Sequence, residues 1–258
     1  MTTSTERITS KDNPLLVRIR KLGADSGAYR KQGLVWLEGD HLISAALQRG
    51  VALSELVVAE SAWAQRADWR RWAPEVRRVV EVPDALFAGL STLDTPGRIG
   101  ALMSLPPAQA LAPQAFTVVL DRLQDAGNVG SILRSAAAFG VRQVLALKGT
   151  AALWSPKVVR AGMGAHFAMQ LIEGLSDDDL AALQVPLLAT SSHQGLVLGQ
   201  SPLPWPCAWV MGHEGQGVSE ALMARCSHTV RIPQPGGEES LNVAAAAAIC
   251  LYSTQAPT

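Results

Sequence analysis

The sequence predicts an α/β protein in two parts, a smaller N-terminal α/β region and a larger C-terminal one on a mostly parallel sheet. Three observations lead to that class. Short apolar runs rich in Val, Leu and Ile recur along the chain, at 34–39, 53–59, 78–82, 99–105, 116–120, 143–147, 167–172, 185–189, 207–211 and 228–232. Segments with helical spacing separate them, the alternation of an α/β fold. In the second half the runs are almost continuously apolar, as strands of a parallel sheet covered on both faces must be. The third observation is Pro106-Pro-Ala-Gln-Ala-Leu-Ala-Pro113, which interrupts the alternation. A stretch of this kind reads as a linker, so the chain divides into 1–105, a linker at 106–115, and 116–258.

In the first part, Ser10 and Asn13-Pro14 signal the start of a basic amphipathic helix carrying Leu15, Leu16, Val17, Ile19 and Leu22. A strand at 34–39 ends at a glycine turn, and Gly50 closes a helix at 40–48. Strand 53–59, helix 63–72, strand 78–82, helix 84–90 and strand 99–105 follow. The second part begins with strand 116–120, helix 128–139 and strand 143–147. Helix 156–163, strand 167–172, helix 177–183 opened by Ser176, and strands 185–189 and 207–211 come next. Helix 218–224 and strand 228–232 lead to a terminal helix with five consecutive alanines and no breaker up to Tyr252. Ser240 is its expected N-cap.

Composition removes several classes. The chain has 258 residues, 48% of them hydrophobic, and zero formal net charge, so it can bury a large core and carries no global basic field. Charge is uneven, however. Seven Lys or Arg stand against three acids in residues 1–36, and five arginines against two acids in residues 66–78. Such clusters can meet phosphates, although a solvated helix face is the plainer reading. Three cysteines without a CxxC pair suggest neither disulfides nor zinc, and five histidines show no HExxH spacing. No metal is expected. Residues 1–16 are polar, without the apolar region of a secretory signal, and the longest apolar run, 243–252, is too short to span a bilayer. The expectation is a soluble cytoplasmic protein with no membrane partner.

Ligand sites in parallel α/β folds lie at the carboxyl ends of strands, and three unusual loops are expected there. The first, after Leu120, holds Asn128, Gly130 and Ser131 at a helix start whose free N–H groups could meet an anion. Arg134, amid Ile132, Leu133 and three alanines, is expected to be half-buried with its head aimed at a ligand. The second loop, Gly212-His-Glu214, sets a carboxylate beside glycines, with Arg134 as its expected ion-pair partner. The third, after Ile232, cannot be regular because Pro233 and Pro235 lack N–H groups, and it delivers Ser240 and Asn242. Gly212, Gly215 and Gly217 match a dinucleotide GxGxxG poorly, and no GxxxxGK[ST] or GxSxG occurs.

Asn128-x-Gly-Ser-x-x-Arg134, Met211-Gly-His-Glu-Gly-Gln-Gly217 and Ile232-Pro-x-x-Gly-x-x-x-Ser-Leu-Asn242 resemble, in order, the three motifs of the SpoU (TrmH-like) RNA ribose 2′-O-methyltransferases. Ile8-Thr-Ser-x-x-Asn-Pro14, Arg30 and Glu38-Gly39 are similar to the L30e-like substrate-binding domain often fused to them. The resemblance implies a C-terminal α/β domain with a deep trefoil knot, S-adenosyl-L-methionine as cofactor, and a homodimer whose active sites are completed across the interface. It also implies roles. Gly212, Ile232 and Leu241 would hold the cofactor, with Thr190 a further cofactor residue, and Asn128, Arg134, Glu214, Ser240 and Asn242 would form the catalytic set. Glu214 would orient Arg134. The implied substrate is rRNA ahead of tRNA, with a non-catalytic RNA-binding protein on the same scaffold as the alternative. Ala244 stands where the family often has serine, Ser253 where it commonly has a carboxylate, and 93–100 matches its domain junction loosely.

Overall fold

The structure is a computed structural model describing residues 5–91, 95–192, 194–236 and 240–254. Gly237 of the third loop, His193 and Leu93-Asp94 lie outside the described residues. The chain forms two compact units, residues 1–107 with 154–167, and residues 108–153 with 168–258.

The first unit is a five-stranded sheet with helices around it. Its elements run β1 (Thr5–Arg7), α1 (Pro14–Ala24), α2 (Ala28–Gln32), β2 (Leu34–Glu38), α3 (Asp40–Gln48), β3 (Leu53–Ala59), α4 (Glu60–Gln65), β4 (Val76–Val82), α5 (Asp84–Ala88) and β5 (Ile99–Ser104). The sheet order is β1-β4-β3-β5-β2, with β5 antiparallel to both neighbours and the other pairs parallel. Asn13 caps α1 by accepting from Leu15 N at 2.9 Å, with Pro14 at the first helical position. The single helix expected at 63–72 is two pieces, α4 and a 3-10 helix at Ala67–Glu75. The chain bends at Arg66, whose guanidinium bonds Asp68 at 2.8 Å and stacks 4.3 Å over Trp69, while Pro74 forbids an α-helical continuation.

The segment 154–167 returns to this first unit from the middle of the second half. It contains α7 (Pro156–Gly162), which packs on β2. Gly164 is the close point: a Cβ there would stand 2.5 Å from the Cβ of Ala45, and its φ is +88°. Only glycine allows both.

The second unit holds β6 (Thr117–Leu120), α6 (Ala126–Ala138), β7 (Gln143–Leu147), β8 (Gln170–Leu175), β9 (Leu187–Thr190), β10 (Leu196–Val197), β11 (Ala208–Met211), α8 (Glu220–Met223), β12 (His228–Arg231) and α9 (Val243–Ser253). The strand expected at 167–172 begins later, because residues 165–168 form a 3-10 turn, and Asp177–Ala182 is a 3-10 rather than an α helix. The sheet is seven-stranded and all parallel, in the order β10-β12-β9-β11-β6-β7-β8. Every residue of β6, β7 and β11 is buried, which is why these strands are apolar apart from Thr117 and Gln143, whose side chains bond each other at 2.9 Å. On one face Val119, Leu145, Val210 and Leu222 build the core. α6 packs against α9, and α9 also packs on β11. Trp209 is fully buried, and its Nε1–H donates to Thr254 Oγ1 at 3.3 Å, tying the end of α9 to the sheet. Among the described residues no helix is long and apolar enough to cross a membrane.

Candidate active site at the carboxyl edge of the parallel sheet

A parallel sheet puts the ends of all its strands on one edge, and the connections after β6, β9, β11 and β12 gather there. The order reverses around β6, from which the chain runs outward through β7 and β8 before crossing to β9. That is the switch point at which α/β folds make crevices.

The first loop is anchored by a residue that composition does not single out. Asp121 is buried, and its carboxylate accepts from Ser219 N at 2.7 Å and Arg122 Nε at 2.9 Å. α6 then starts at Ala126, two residues before the expected 128, because Asp125 is the N-cap and accepts from Asn128 N at 2.7 Å. The free N–H groups expected around Asn128 are therefore partly taken by carboxylates. Glu214, from the second loop, accepts from Gln124 N at 3.3 Å and Asp125 N at 3.1 Å. An Asp three residues ahead of Asn128 was the available cap signal.

The second loop is a tight return. His213 N donates to Gly217 O at 3.0 Å, Gly217 N to His213 O at 2.8 Å, and His213 Nδ1 accepts from Gly215 N at 3.0 Å. Gly212 is sterically required, since a Cβ there would lie 2.1 Å from Val218 N and 2.2 Å from the carbonyl carbon of Gly217. The third loop ends in α9, whose N-cap is Asn242 rather than Ser240. Asn242 Oδ1 accepts from Ala244 N at 2.9 Å and Ala245 N at 3.2 Å. Ser240, two residues earlier, is still in the loop and makes no hydrogen bond to a described residue.

Asn242 and Asn128 join the three loops into one hydrogen-bonded chain. With its oxygen capping α9, Asn242 presents Nδ2 to Asn128 Oδ1 at 2.9 Å. Asn128 is thereby oriented to donate Nδ2 to Glu214 Oε1 at 3.3 Å. Partial burial opposes ionisation of Glu214, but bonds from backbone N–H groups of Glu214, Asp125 and Gln124 and from Asn128 outweigh it and hold the carboxyl below its usual range.

The chain rims a cavity of about 660 Å³. Eight of the nine expected site residues line it: Asn128, Thr190, Gly212, Glu214, Ile232, Ser240, Leu241 and Asn242. Thr190 Oγ1 donates to Val210 O at 3.3 Å. Arg134 is the exception. It is exposed and makes no hydrogen bond or ion pair with any described residue. The expected half-buried stem and the ion pair with Glu214 are both absent, and helix geometry explains why. The buried face of α6 is Val129, Gly130, Ile132, Leu133 and Ala136. At about 100° per residue, Arg134 falls off that face and points about 120° away from Asn128 around the axis. Among the described residues no group of three His, Cys, Asp or Glu side chains is placed to hold a metal ion.

Comparison with known proteins bears on the family and the fold. The family model described as "SpoU rRNA Methylase family" matches residues 115–252, and that of the "MRM3-like substrate binding domain" matches residues 13–101. The 23S rRNA (guanosine(2553)-2'-O)-methyltransferase RlmP of Bacillus subtilis is 30% identical over 222 residues, covering 84% of this chain and 86% of its own. A solved putative RNA methyltransferase of the TrmH family from Porphyromonas gingivalis superposes with a TM-score of 0.82 at 30% identity, covering 95% of this chain and 98% of its own. An AdoMet-bound rRNA methyltransferase from Sinorhizobium meliloti gives 0.81 at 26% identity, covering 96% and 97%. Motif order, parallel sheet and gathered loops thus coincide with a match over more than half the chain, and this protein belongs to the SpoU rRNA methylase family.

Proposed function

We propose that this protein is an RNA ribose 2′-O-methyltransferase that uses S-adenosyl-L-methionine and acts on structured rRNA. The observation that carries the reading is the Asn242–Asn128–Glu214 chain on the rim of the 660 Å³ cavity. The cavity has room for a nucleoside with an amino-acid arm. Gly212, held without a side chain, lets a ligand approach the backbone closely, and Ile232 and Leu241 supply apolar contact. When bound, S-adenosyl-L-methionine supplies a methyl group on a sulfonium.

The protein's own part is positioning and charge. Glu214 locks the first loop onto the second, and Asn128 and Asn242 lock the third to both. Ser240 keeps its hydroxyl free for the ribose. A guanidinium keeps its proton near neutral pH, so Arg134 serves as a partner for a phosphate and for the developing alkoxide.

Arg134 cannot do this in its own cavity, which it does not line. The reading therefore includes a homodimer in which Arg134 serves the cavity of the other protomer. α9 supports it. Ala245, Ile249 and Tyr252 lie exposed along one side at helical spacing, Ile249 39% exposed and Tyr252 65%. An all-apolar helix with one side uncovered is a face built for a partner. The trefoil knot belongs to the same reading; α9, which follows β12, packs on β11 and against α6. Residues 1–105 would bind the RNA. Lys11, Arg18, Lys21 and Lys31 form no ion pair with described residues, whereas Arg66 and Arg78 of the second cluster are paired to Asp68 and Glu6. An rRNA substrate and free cysteines fit the cytoplasm.

The test is transfer of labelled methyl from S-adenosyl-L-methionine to total unmodified RNA, followed by digestion to nucleosides. The expected product is a 2′-O-methylated nucleoside from rRNA. Label on a base, or none in rRNA by protein that binds the cofactor, would overturn the reaction or the substrate assignment respectively.

A further inference from the structure

One polar atom of the cavity is left out of the hydrogen-bonded chain. Gln234 lies on the loop after β12, two residues past Ile232, and lines the cavity. Its Oε1 is buried and has no hydrogen-bond partner among the described residues. Most of the named polar site residues around it are already engaged, and the exposed Ser240 hydroxyl can turn to solvent. Asn128, Glu214 and Asn242 bond one another, Thr190 bonds the Val210 carbonyl, and His213 Nδ1 accepts from Gly215 N. A buried carbonyl oxygen with no donor is unfavourable, and a native site that keeps one leaves it for a ligand or water to satisfy.

The surroundings narrow the ligand group. Met223, Val230, Ile232 and Leu241 give the same cavity apolar surface, suited to a flat ring. A carboxamide is complementary to adenine, accepting from the exocyclic amine while donating to the neighbouring ring nitrogen. Ribose hydroxyls and an ammonium group are donors as well, but they lack a donor and an acceptor side by side on one rigid edge. We propose that Gln234 reads the adenine of the bound cofactor, with Oε1 accepting from its exocyclic amine and the amide N–H donating to ring N7. The proposal rests on the reading that S-adenosyl-L-methionine occupies this cavity. It adds a side chain that sets nucleobase specificity to the expected cofactor set of Thr190, Gly212, Ile232 and Leu241.

The experiment compares two ligands on three proteins by calorimetry. The ligands are S-adenosylhomocysteine and S-inosylhomocysteine, which carries oxygen in place of the amine. Wild type is expected to favour the adenosine compound by about tenfold, the value of one such hydrogen bond. Gln234→Leu should reduce that preference to less than about twofold, and Gln234→Glu, which still accepts, should keep it. Thermal unfolding of both variants checks that the loop change leaves the fold intact. An unchanged preference in Gln234→Leu, or an equal loss of both ligands, would overturn the assignment. Wild type that binds neither ligand would sink the cofactor reading, and this proposal with it.

Discussion

The two sides of α6 are finished to different degrees. On the Asn128 side, three loops are tied by hydrogen bonds between residues 86 and 114 positions apart in sequence. Rotating about 120° around the same helix reaches Arg134, which is exposed and bonds no described residue, and the α9 that packs on α6 has an apolar side left uncovered. A helix is stiff enough that one phase decides both sides. Burying Val129, Ile132 and Leu133 against the sheet turns Asn128 to its own cavity and Arg134 away from it. On the proposed reading, the contrast teaches that a single chain can pre-organise the holding half of a site while displaying the arginine that serves it elsewhere.

The sharpest way to break this contrast is to separate the two halves genetically. Arg134→Ala should lower turnover by about two to three orders of magnitude while leaving cofactor affinity and melting temperature unchanged. Asn128→Ala should also be inactive. If Arg134 serves the opposite protomer, mixing the two variants under subunit exchange should restore about a quarter of wild-type activity, from one intact site in each mixed dimer. No recovery, with mixed dimers shown to form, would place Arg134 in its own site or outside the reaction.

The next largest effect should come from the holding half. Gly212→Ala puts a methyl group onto the backbone of Gly217 and Val218, and backbone cannot yield as a side chain tip can. The loop must open, so cofactor affinity should fall about a hundredfold while stability falls by roughly 1–3 kcal/mol. Cofactor titration and thermal unfolding measure the two together. An unchanged affinity would show that the closed form of the second loop is not the binding form.

These two variants also mark what could be read from sequence. The fold class was legible because strands buried on both faces carry almost no polar interruption, as in β6 and β11. The return of 154–167 to the first unit was not, since its close point is a glycine against an alanine, two residues without a pattern. The loops were legible as strand ends and as motifs, and eight expected residues line one cavity. Their pairing was not. Glu214 meets backbone N–H groups rather than Arg134, and that depends on the phase of α6, which is set by the sheet beneath it. The cap of α9 moved from Ser240 to Asn242 for a similar reason, because the loop extends until Asn242 can reach both Ala244 N and Asn128.

A smaller effect should follow from a charge on the uncovered side. Ile249 is 39% exposed on α9. Ile249→Asp adds a carboxylate that a solvated monomer tolerates and an apolar interface does not. If the protein dimerises through α9, dimer affinity should fall at least about tenfold by sedimentation, with little change in monomer stability. A dimer of unchanged strength would move the interface off α9.

The smallest predicted effect returns to Glu214 and tests the holding half alone. Its folded pKa lies below the ordinary value of 4.5, so the ionised form binds the folded state better than the protonated one. The contribution is fully present above about 4.5 and is lost as pH falls through the folded value. The carboxylate is exposed, and solvent screens its bonds, so the gain is a few tenths of a kcal/mol. The stability difference between wild type and Glu214→Gln should therefore be small and steady from pH 8 to about 5, then shrink toward acid. If it instead grew toward acid, the carboxyl would be protonated in the fold. The Asn128 amide would then have to donate to a neutral acid, and the hydrogen-bonded rim would lose the charge that holds the first loop against the second.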